Sequence, residues 1–341
     1  MDIKYILKEA NYYKKLEGLS RPIKKFLLSQ TVLSKWVNGP EYNRIYYNRI
    51  RKKSKKHYPK ILQVENTNFC NARCLMCPHN KMKRRGKIMN LEDFKKIVKS
   101  VLKEYKIERL VITGFGEPFI DKGIIEKIKF VNKNFPELKI DIYTNASVLN
   151  KSLTDTLLKT KISRITFSVN GTEKNYKKIM GLDYQNTKKN LLYFLHKKIE
   201  SENKVLTNIS LMILKENEKD IQRFIGFWRP LTDSVRVYAP SNWAGGKGNI
   251  IQQSPFKDKK RWACFALWNN ITIDVDGNMV LCCRDYESAG NFGNVLKQNI
   301  KEIRQSERFQ KLLKKQLNSD FNSPVCKNCD NSFDSSLDWI C

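Results

Sequence analysis

Between residues 60 and 240 six short runs of branched apolar residues alternate with five stretches whose apolar positions fall at helical spacing. Strand patterns fall at 61–66, 108–113, 139–144, 164–169, 206–214 and 234–238, and helical patterns at 91–105, 123–135, 151–159, 187–200 and 220–228. In the first helix Leu91, Phe94, Ile97, Val98, Val101 and Leu102 make the stripe that buries against a sheet. Strands that alternate with helices pair in parallel through right-handed crossovers. Six units are too few for a closed eight-fold barrel and imply an open one. The 341 residues leave room for a second domain.

Cysteines interrupt this pattern at two places. Cys70, Cys74 and Cys77 stand on one loop directly after the first strand, spaced C-x3-C-x2-C. A closed zinc site and an ordinary iron–sulfur cluster both take four ligands. Three thiolates on one loop can hold three irons of a cubane and leave the fourth open; a zinc knuckle is the alternative. The carboxyl end of a barrel strand is where such folds put their chemistry. In the second set, Cys264 is followed by twelve residues, Gly277, four residues and Cys282, and Cys326-Lys327-Asn328-Cys329 comes later. Strand patterns at 271–274 and 279–282 flank Val275-Asp276-Gly277-Asn278, and Asp-Gly is a strong hairpin signal. Residues 291–295 lead into a helical pattern over 300–315. These four thiolates can close around one metal centre; a four-cysteine zinc ribbon is the alternative. Cys283 reads as a packing residue and Cys341 as a free thiol.

Polar residues sit at the strand ends. Thr113-Gly114-Phe115-Gly116-Glu117-Pro118 ends the second, where glycine admits close backbone approach and Glu117 can accept from an ammonium group. Asn145 ends the third strand, Ser168 and Asn170 the fourth, and Asn217 follows the fifth. Each polar residue taken alone is also a good turn or helix cap.

The cysteine triad, its strand and the G-F-G-E-P run together resemble the radical S-adenosylmethionine (SAM) superfamily. The C-terminal cysteines resemble that superfamily's SPASM/twitch domain. The resemblance implies an α/β fold: a partial (β/α)6 barrel over 59–240, an auxiliary domain over 241–341 built of a β-hairpin plus helix, and a basic helical extension over 1–58. It implies a [4Fe–4S] cluster on Cys70, Cys74 and Cys77, with SAM chelated at the open iron. It also implies SAM contacts from Met76, Gly114, Gly116, Glu117, Asn145, Ser168, Asn170 and Asn217. Phe115 lies between the two glycines that align with the family's G-G-E-P motif. The full SPASM pattern carries further cysteines after the C-x2-C pair, and here only Cys341 follows. A single auxiliary [4Fe–4S] cluster on Cys264, Cys282, Cys326 and Cys329 is therefore expected.

The chemistry implied is reductive cleavage of SAM to a 5′-deoxyadenosyl radical, hydrogen abstraction from substrate, and loss of a proton and an electron to the auxiliary cluster. The electron donor would be a flavodoxin or ferredoxin. The run Cys77-Pro78-His79-Asn80-Lys81-Met82, with Gly86 and Met89, resembles SPASM proteins of glycan and aminoglycoside-type pathways. That favours dehydrogenation of a sugar or cyclitol alcohol. A peptide or protein maturase, including sulfatase-type formylglycine formation, is the alternative. Residues 1–58 are short for a peptide-binding winged helix and lack its strand pattern. Tyr143, Arg236, Tyr238 and Trp243 lie at or beyond strand ends and can line a pocket; no catalytic base is assigned.

The net charge of +30 admits an anionic partner, whether nucleic acid, membrane surface or a nucleotide-linked sugar. It equally fits a lysine-, asparagine- and isoleucine-rich composition spread along the whole chain. No RNA-binding module is recognisable, so no specific nucleic acid is expected. The basic excess is densest at Arg51-Lys52-Lys53-Ser54-Lys55-Lys56, downstream of apolar residues that interleave with lysines from Ile23 to Val37. That segment reads either as a helical cap on the barrel or as an interfacial helix in peripheral contact with anionic lipid. No run of about 18 apolar residues predicts a membrane span, and Met1-Asp2-Ile3-Lys4-Tyr5 does not begin a signal peptide. Nine cysteines without an export signal point to metal ligation and a cytoplasmic protein.

Overall fold

A computed structural model describes residues 59–238, 240–246 and 263–329. The basic extension expected over 1–58 lies outside them, as does Cys341. Six strands, β1 (Ile61–Val64), β2 (Arg109–Ile112), β3 (Lys139–Thr144), β4 (Arg164–Ser168), β5 (Leu206–Met212) and β6 (Ser234–Tyr238), pair in sequence order, every neighbour parallel. The crossovers are α1 (Leu91–Glu104), α2 (Ile124–Asn134), α3 (Lys151–Leu158), the pair α4 (Tyr176–Met180) and α5 (Tyr184–Glu200), and α6 (Ile221–Trp228).

Local chemistry sets the helix starts. The Asn90 side chain accepts from the Asp93 amide at 2.8 Å, and Asn150 and Asp183 cap α3 and α5 in the same way. A cap of this kind is worth about 1 kcal/mol. The buried face of α1 is Phe94, Ile97, Val98 and Val101. It belongs to one core with Leu62 and Val64 of β1, which are fully buried. Successive strand residues face opposite ways, so Gln63 and Glu65 turn to the other face, where they line an open pocket. Near the amino ends of the strands that inner face carries charge. Asp141, fully buried, accepts from Arg109 Nη1 at 2.6 Å and Arg164 Nη2 at 2.5 Å. That network fills the lower end of the sheet and leaves the carboxyl ends for ligands.

The C-terminal segment is not a separate appendage. After α7 (Ala266–Asn269), β7 (Asn270–Ile273) pairs in parallel with β1, Ile61 opposite Asn270 and Val64 opposite Ile273. The turn at Gly277 (φ +83°) returns the chain into β8 (Met279–Val280), antiparallel to β7. The hairpin expected from Asp276-Gly277 is therefore present, and its first strand extends the barrel sheet. The helix expected over 300–315 is two: α8 (Ile300–Gln305) and α9 (Glu307–Leu317). Ser306 leaves helical geometry (ψ 145°) and its hydroxyl caps α9 at the Phe309 amide. Phe265, Leu267, Trp268, Leu281, Leu312 and Val325 form a second, smaller core, which also holds Cys326.

Candidate functional site

The loop after β1 is fastened at both ends before it reaches its first cysteine. Asn66 Nδ2 donates to the Pro118 carbonyl at 3.1 Å and to Asp121 at 3.0 Å, and the Asn68 carbonyl is bonded to His79 Nε2 at 3.0 Å. Beyond Cys70 the loop leans on α4: Arg73 and Leu75 donate to the carbonyls of Met180 and Ile179, both at 2.9 Å. Gly181 ends α4 with φ +68°, and a Cβ there would stand 3.0 Å from that of Arg73. The short α4 thus shapes the cysteine loop, and Cys74 Sγ lies 3.5 Å from Met180 Sδ.

Cys70, Cys74 and Cys77 are not disulfide-bonded and lie within electrostatic reach of one another. Burial pushes the Cys70 thiol up to about 12 and Cys74 well above its ordinary value, with the neighbouring thiols adding to the rise in both. Cys264, Cys282, Cys326 and Cys329 form the second such group. Burial pushes Cys264 up to about 12 and Cys282 well above its usual range, and Cys329 is the next cause for each. Thiols this desolvated ionise only against a cationic partner, which is what an iron centre provides. Among the described residues no three such side chains gather closely enough for a single metal ion; a cubane cluster, with one iron per thiolate, spreads its ligands wider. The donor sets fit two iron–sulfur centres. Cys283, expected to be a packing residue, is disulfide-bonded.

The glycines of the G-F-G-E-P run serve close approach, and the approaching groups are protein. A Cβ on Gly114 would lie 2.3 Å from Glu65 Cγ, and one on Gly116 would lie 2.3 Å from the Thr67 carbonyl oxygen. Glu117, 2 % exposed, accepts from Thr144 Oγ1 at 2.6 Å, Asn145 N at 2.7 Å and Phe119 N at 3.3 Å. Burial still outweighs these bonds and raises its carboxyl to about 7. An ammonium group beside it would favour the ionised form. Asn145 reaches the cysteine loop through Asn71 Oδ1 at 3.0 Å.

Other predicted residues divide differently. Asn217, 1 % exposed, spends its whole amide on backbone, accepting from Leu214 N and donating to the carbonyls of Asn170 and Met212. Asn170 accepts from Met212 N at 2.8 Å and donates to Met180 Sδ at 3.2 Å. The two clip the ends of β4 and β5 together behind the cysteine loop, which is the cap-like role their residue type also allowed. Ser168 ends β4, partly exposed. The Met76 carbonyl, between Cys74 and Cys77, accepts from Trp243 Nε1 at 2.6 Å. Trp243 lies just beyond β6 and meets Phe115 edge-on, centroids 5.7 Å apart. At the mouth of β6, Tyr238 faces Ser210 beside Arg236.

Residues 64–227 match the Radical SAM superfamily model, and residues 264–330 match the SPASM iron–sulfur cluster-binding domain. The chain carries a Radical SAM domain followed by a SPASM domain, and the cofactors of those domains are SAM and [4Fe–4S] clusters. Among curated relatives, a GTP 3′,8-cyclase of Clostridium perfringens is 30% identical over 164 residues, 47% of this chain and 48% of the cyclase. The chain thus spans about half the length of that relative. A SAM-dependent 2-deoxy-scyllo-inosamine dehydrogenase of Niallia circulans is 22% identical over 281 residues, 80% of this chain and 92% of the dehydrogenase. Among solved structures, SuiB of Streptococcus suis bound to its precursor peptide SuiA superposes with a TM-score of 0.62 at 14% identity, covering 89% of this chain and 83% of SuiB. At that identity the likeness is one of fold.

Glu65 and Arg84, nineteen residues apart, were not singled out in the sequence, though Glu65 turns out to be the acid packed on Gly114. The signal available was Gly114 itself, which announces a close neighbour without naming it.

Proposed function

We propose that the chain dehydrogenates an alcohol carbon of a small polyol, a sugar or cyclitol, with a second iron–sulfur centre as electron acceptor. The observation that carries this reading is the gathering of Cys264, Cys282, Cys326 and Cys329 into one group, with Cys282 just beyond a hairpin whose first strand is hydrogen-bonded to the strand that bears the first cysteine loop. Hydrogen abstraction needs one centre; a second beside it, with four thiolates and no open position, suits an electron sink. The dehydrogenase relative, matched over nearly its whole length, supports the polyol class. This reading divides the chain near residue 240, between barrel and auxiliary domain.

When bound, the cluster and SAM supply a radical able to take hydrogen from an unactivated carbon, and the auxiliary cluster accepts an electron. The protein's own part is binding and shielding. Met76, Gly114, Gly116, Glu117, Asn145 and Ser168 surround the SAM position, with Asn170 and Asn217 fixing the strand ends behind it. Tyr238, 43 % exposed at the barrel mouth, is a phenol that carries its proton at neutral pH. It can donate to a substrate oxygen while Arg236 holds a second one. The reductant is a flavodoxin or ferredoxin, whose acidic surface suits a chain of charge +30. Among the described residues no helix is long and apolar enough to cross a membrane; oxygen-sensitive thiolates suit the cytoplasm.

A second reading, a peptide maturase, is favoured by the likeness to SuiB in its peptide complex. The test has two parts. Anaerobic reconstitution of the wild type is expected to give about eight irons per chain, falling to about four when Cys70, Cys74 and Cys77 are replaced by alanine. Four falling to none, with zinc retained, removes the electron acceptor. Incubation with SAM and reductant then compares an aminocyclitol with a peptide: 5′-deoxyadenosine formed in step with a ketone supports the polyol, and peptide-dependent formation overturns it.

A further inference from the structure

We propose that Arg84 is a positioning residue that registers the auxiliary cysteine loop against the glycine motif at the SAM site. The proposal rests on the presence of two centres and not on the identity of the substrate. Arg84 lies seven residues beyond Cys77, on the segment leaving the first cysteine loop. Its guanidinium forks onto Glu65, Nη1 to Oε2 at 2.5 Å and Nη2 to Oε1 at 3.3 Å. On another side its Nε meets the carbonyl of Tyr286 at 2.6 Å, four residues after Cys282.

The acid end of the pair is as widely engaged. Glu65 accepts from the amide of Phe115 at 3.0 Å, inside the glycine motif, and from Val275 at 3.2 Å, in the auxiliary hairpin. One ion pair therefore touches the end of β1, the G-F-G-E-P run, the hairpin turn and the loop beyond Cys282. Phe115 is gripped between the two halves: the guanidinium stands 5.7 Å over its ring, and Tyr286 meets it edge-on at 6.2 Å. Next in the chain, the Lys83 amide donates to the Glu287 carboxylate at 3.0 and 3.3 Å, so two successive residues of this segment hold the same auxiliary loop.

The environment explains why arginine is used. The two side chains are 14 % and 5 % exposed. Glu65 and Arg84 line a shallow, open pocket together with Asp274, Asp285 and Cys282. Asp274 and Asp285 are committed to their own turns, Asp274 to the amides of Asp276 and Asn278 and to Ser288, Asp285 to those of Ala289 and Gly290. They add negative potential around Arg84 without competing for its donors. A guanidinium satisfies a carboxylate in two-point fashion and still has a donor for a carbonyl on another side; an ammonium does not hold that geometry. Without Arg84, Glu65 would be left buried beside two other carboxylates, which loosens the seam rather than closing it.

The test uses the reconstituted full-length chain and Arg84→Gln and Arg84→Lys variants, with no substrate. Iron and sulfide content, amide hydrogen exchange, and spin–spin broadening between the reduced clusters are measured. R84Q is expected to retain both clusters. Exchange should quicken about tenfold in 113–117 and 284–290 alone, and the broadening between clusters should diminish. R84K is expected to fall between R84Q and wild type. Exchange and broadening equal to wild type in either variant would overturn the proposal. So would loss of protection over the whole barrel with iron lost from both sites, which is the mark of a plain folding residue. If R84Q does not accumulate, the same outcomes in R84K decide. A wild type with only four irons per chain would signal failure of the two-centre reading itself, independently of these variants.

Discussion

Trp243 hands its indole proton to the carbonyl of Met76, 2.6 Å away and 167 residues back in the chain. That carbonyl belongs to the residue between Cys74 and Cys77, where the family resemblance puts an adenine contact. Ring and nucleotide would compete for one acceptor. Trp243→Phe keeps an aromatic edge for Phe115 and removes the donor. It is expected to tighten SAM binding about fivefold, the equivalent of roughly 1 kcal/mol for one hydrogen bond. Equilibrium dialysis on the reconstituted protein measures this. Weaker binding in the variant would mean that the indole stays in place and supports the cofactor.

Gly114 is fixed by Glu65. An added methyl would stand 2.3 Å from Cγ and 2.7 Å from Cβ of that buried side chain, which is itself tied down by Arg84 and two amides. Gly114→Ala is expected to destabilise the protein by about 3 kcal/mol in denaturant unfolding. Gly226, with open space around it, is the control: alanine there sits in the middle of α6 and should stabilise by roughly 0.5–1 kcal/mol.

Glu117 gives the apoprotein a pH dependence of defined sign. Its carboxyl is raised from 4.5 to about 7 in the folded state, by burial. The folded protein binds this proton more tightly than the unfolded chain does. The stability it contributes is fully present below the unfolded value and is lost as pH rises through about 7. The size is about 3 kcal/mol across that interval. Glu117→Gln should flatten the corresponding slope in denaturant midpoints taken from pH 4 to 8. A variant slope equal to wild type would place the titration elsewhere.

The barrel was legible because its strands and helices are local: Leu62 and Val64 beside Phe94, Ile97 and Val98 obey the two periodicities that burial imposes. Both cysteine sets were legible because ligand spacing is a short-range property. What escaped was either short or distant. Tyr176–Met180 is five residues long, too short for a periodic face, yet it backs the cysteine loop. Ser306 looks like an ordinary surface serine until its hydroxyl is seen capping α9. The Glu65–Arg84 pair and the Trp243–Met76 bond join residues whose approach is decided by tertiary structure, and no local pattern marks them. Asn217 shows the opposite limit: its residue type suited both a ligand contact and a backbone clip, and the amide is wholly taken by the clip.

The pairing of β7 with β1 makes the order of synthesis matter. β1 is the first strand described, and its outer edge waits for Asn270–Ile273, more than two hundred residues later. Until that segment arrives, a ribosome-bound or truncated barrel offers a naked, apolar strand edge to any neighbouring chain, the situation that favours intermolecular sheet growth. The segment bearing the second cysteine set is thus also the stopper that completes the fold, and a chain cut before residue 270 is expected to aggregate rather than survive as a smaller enzyme.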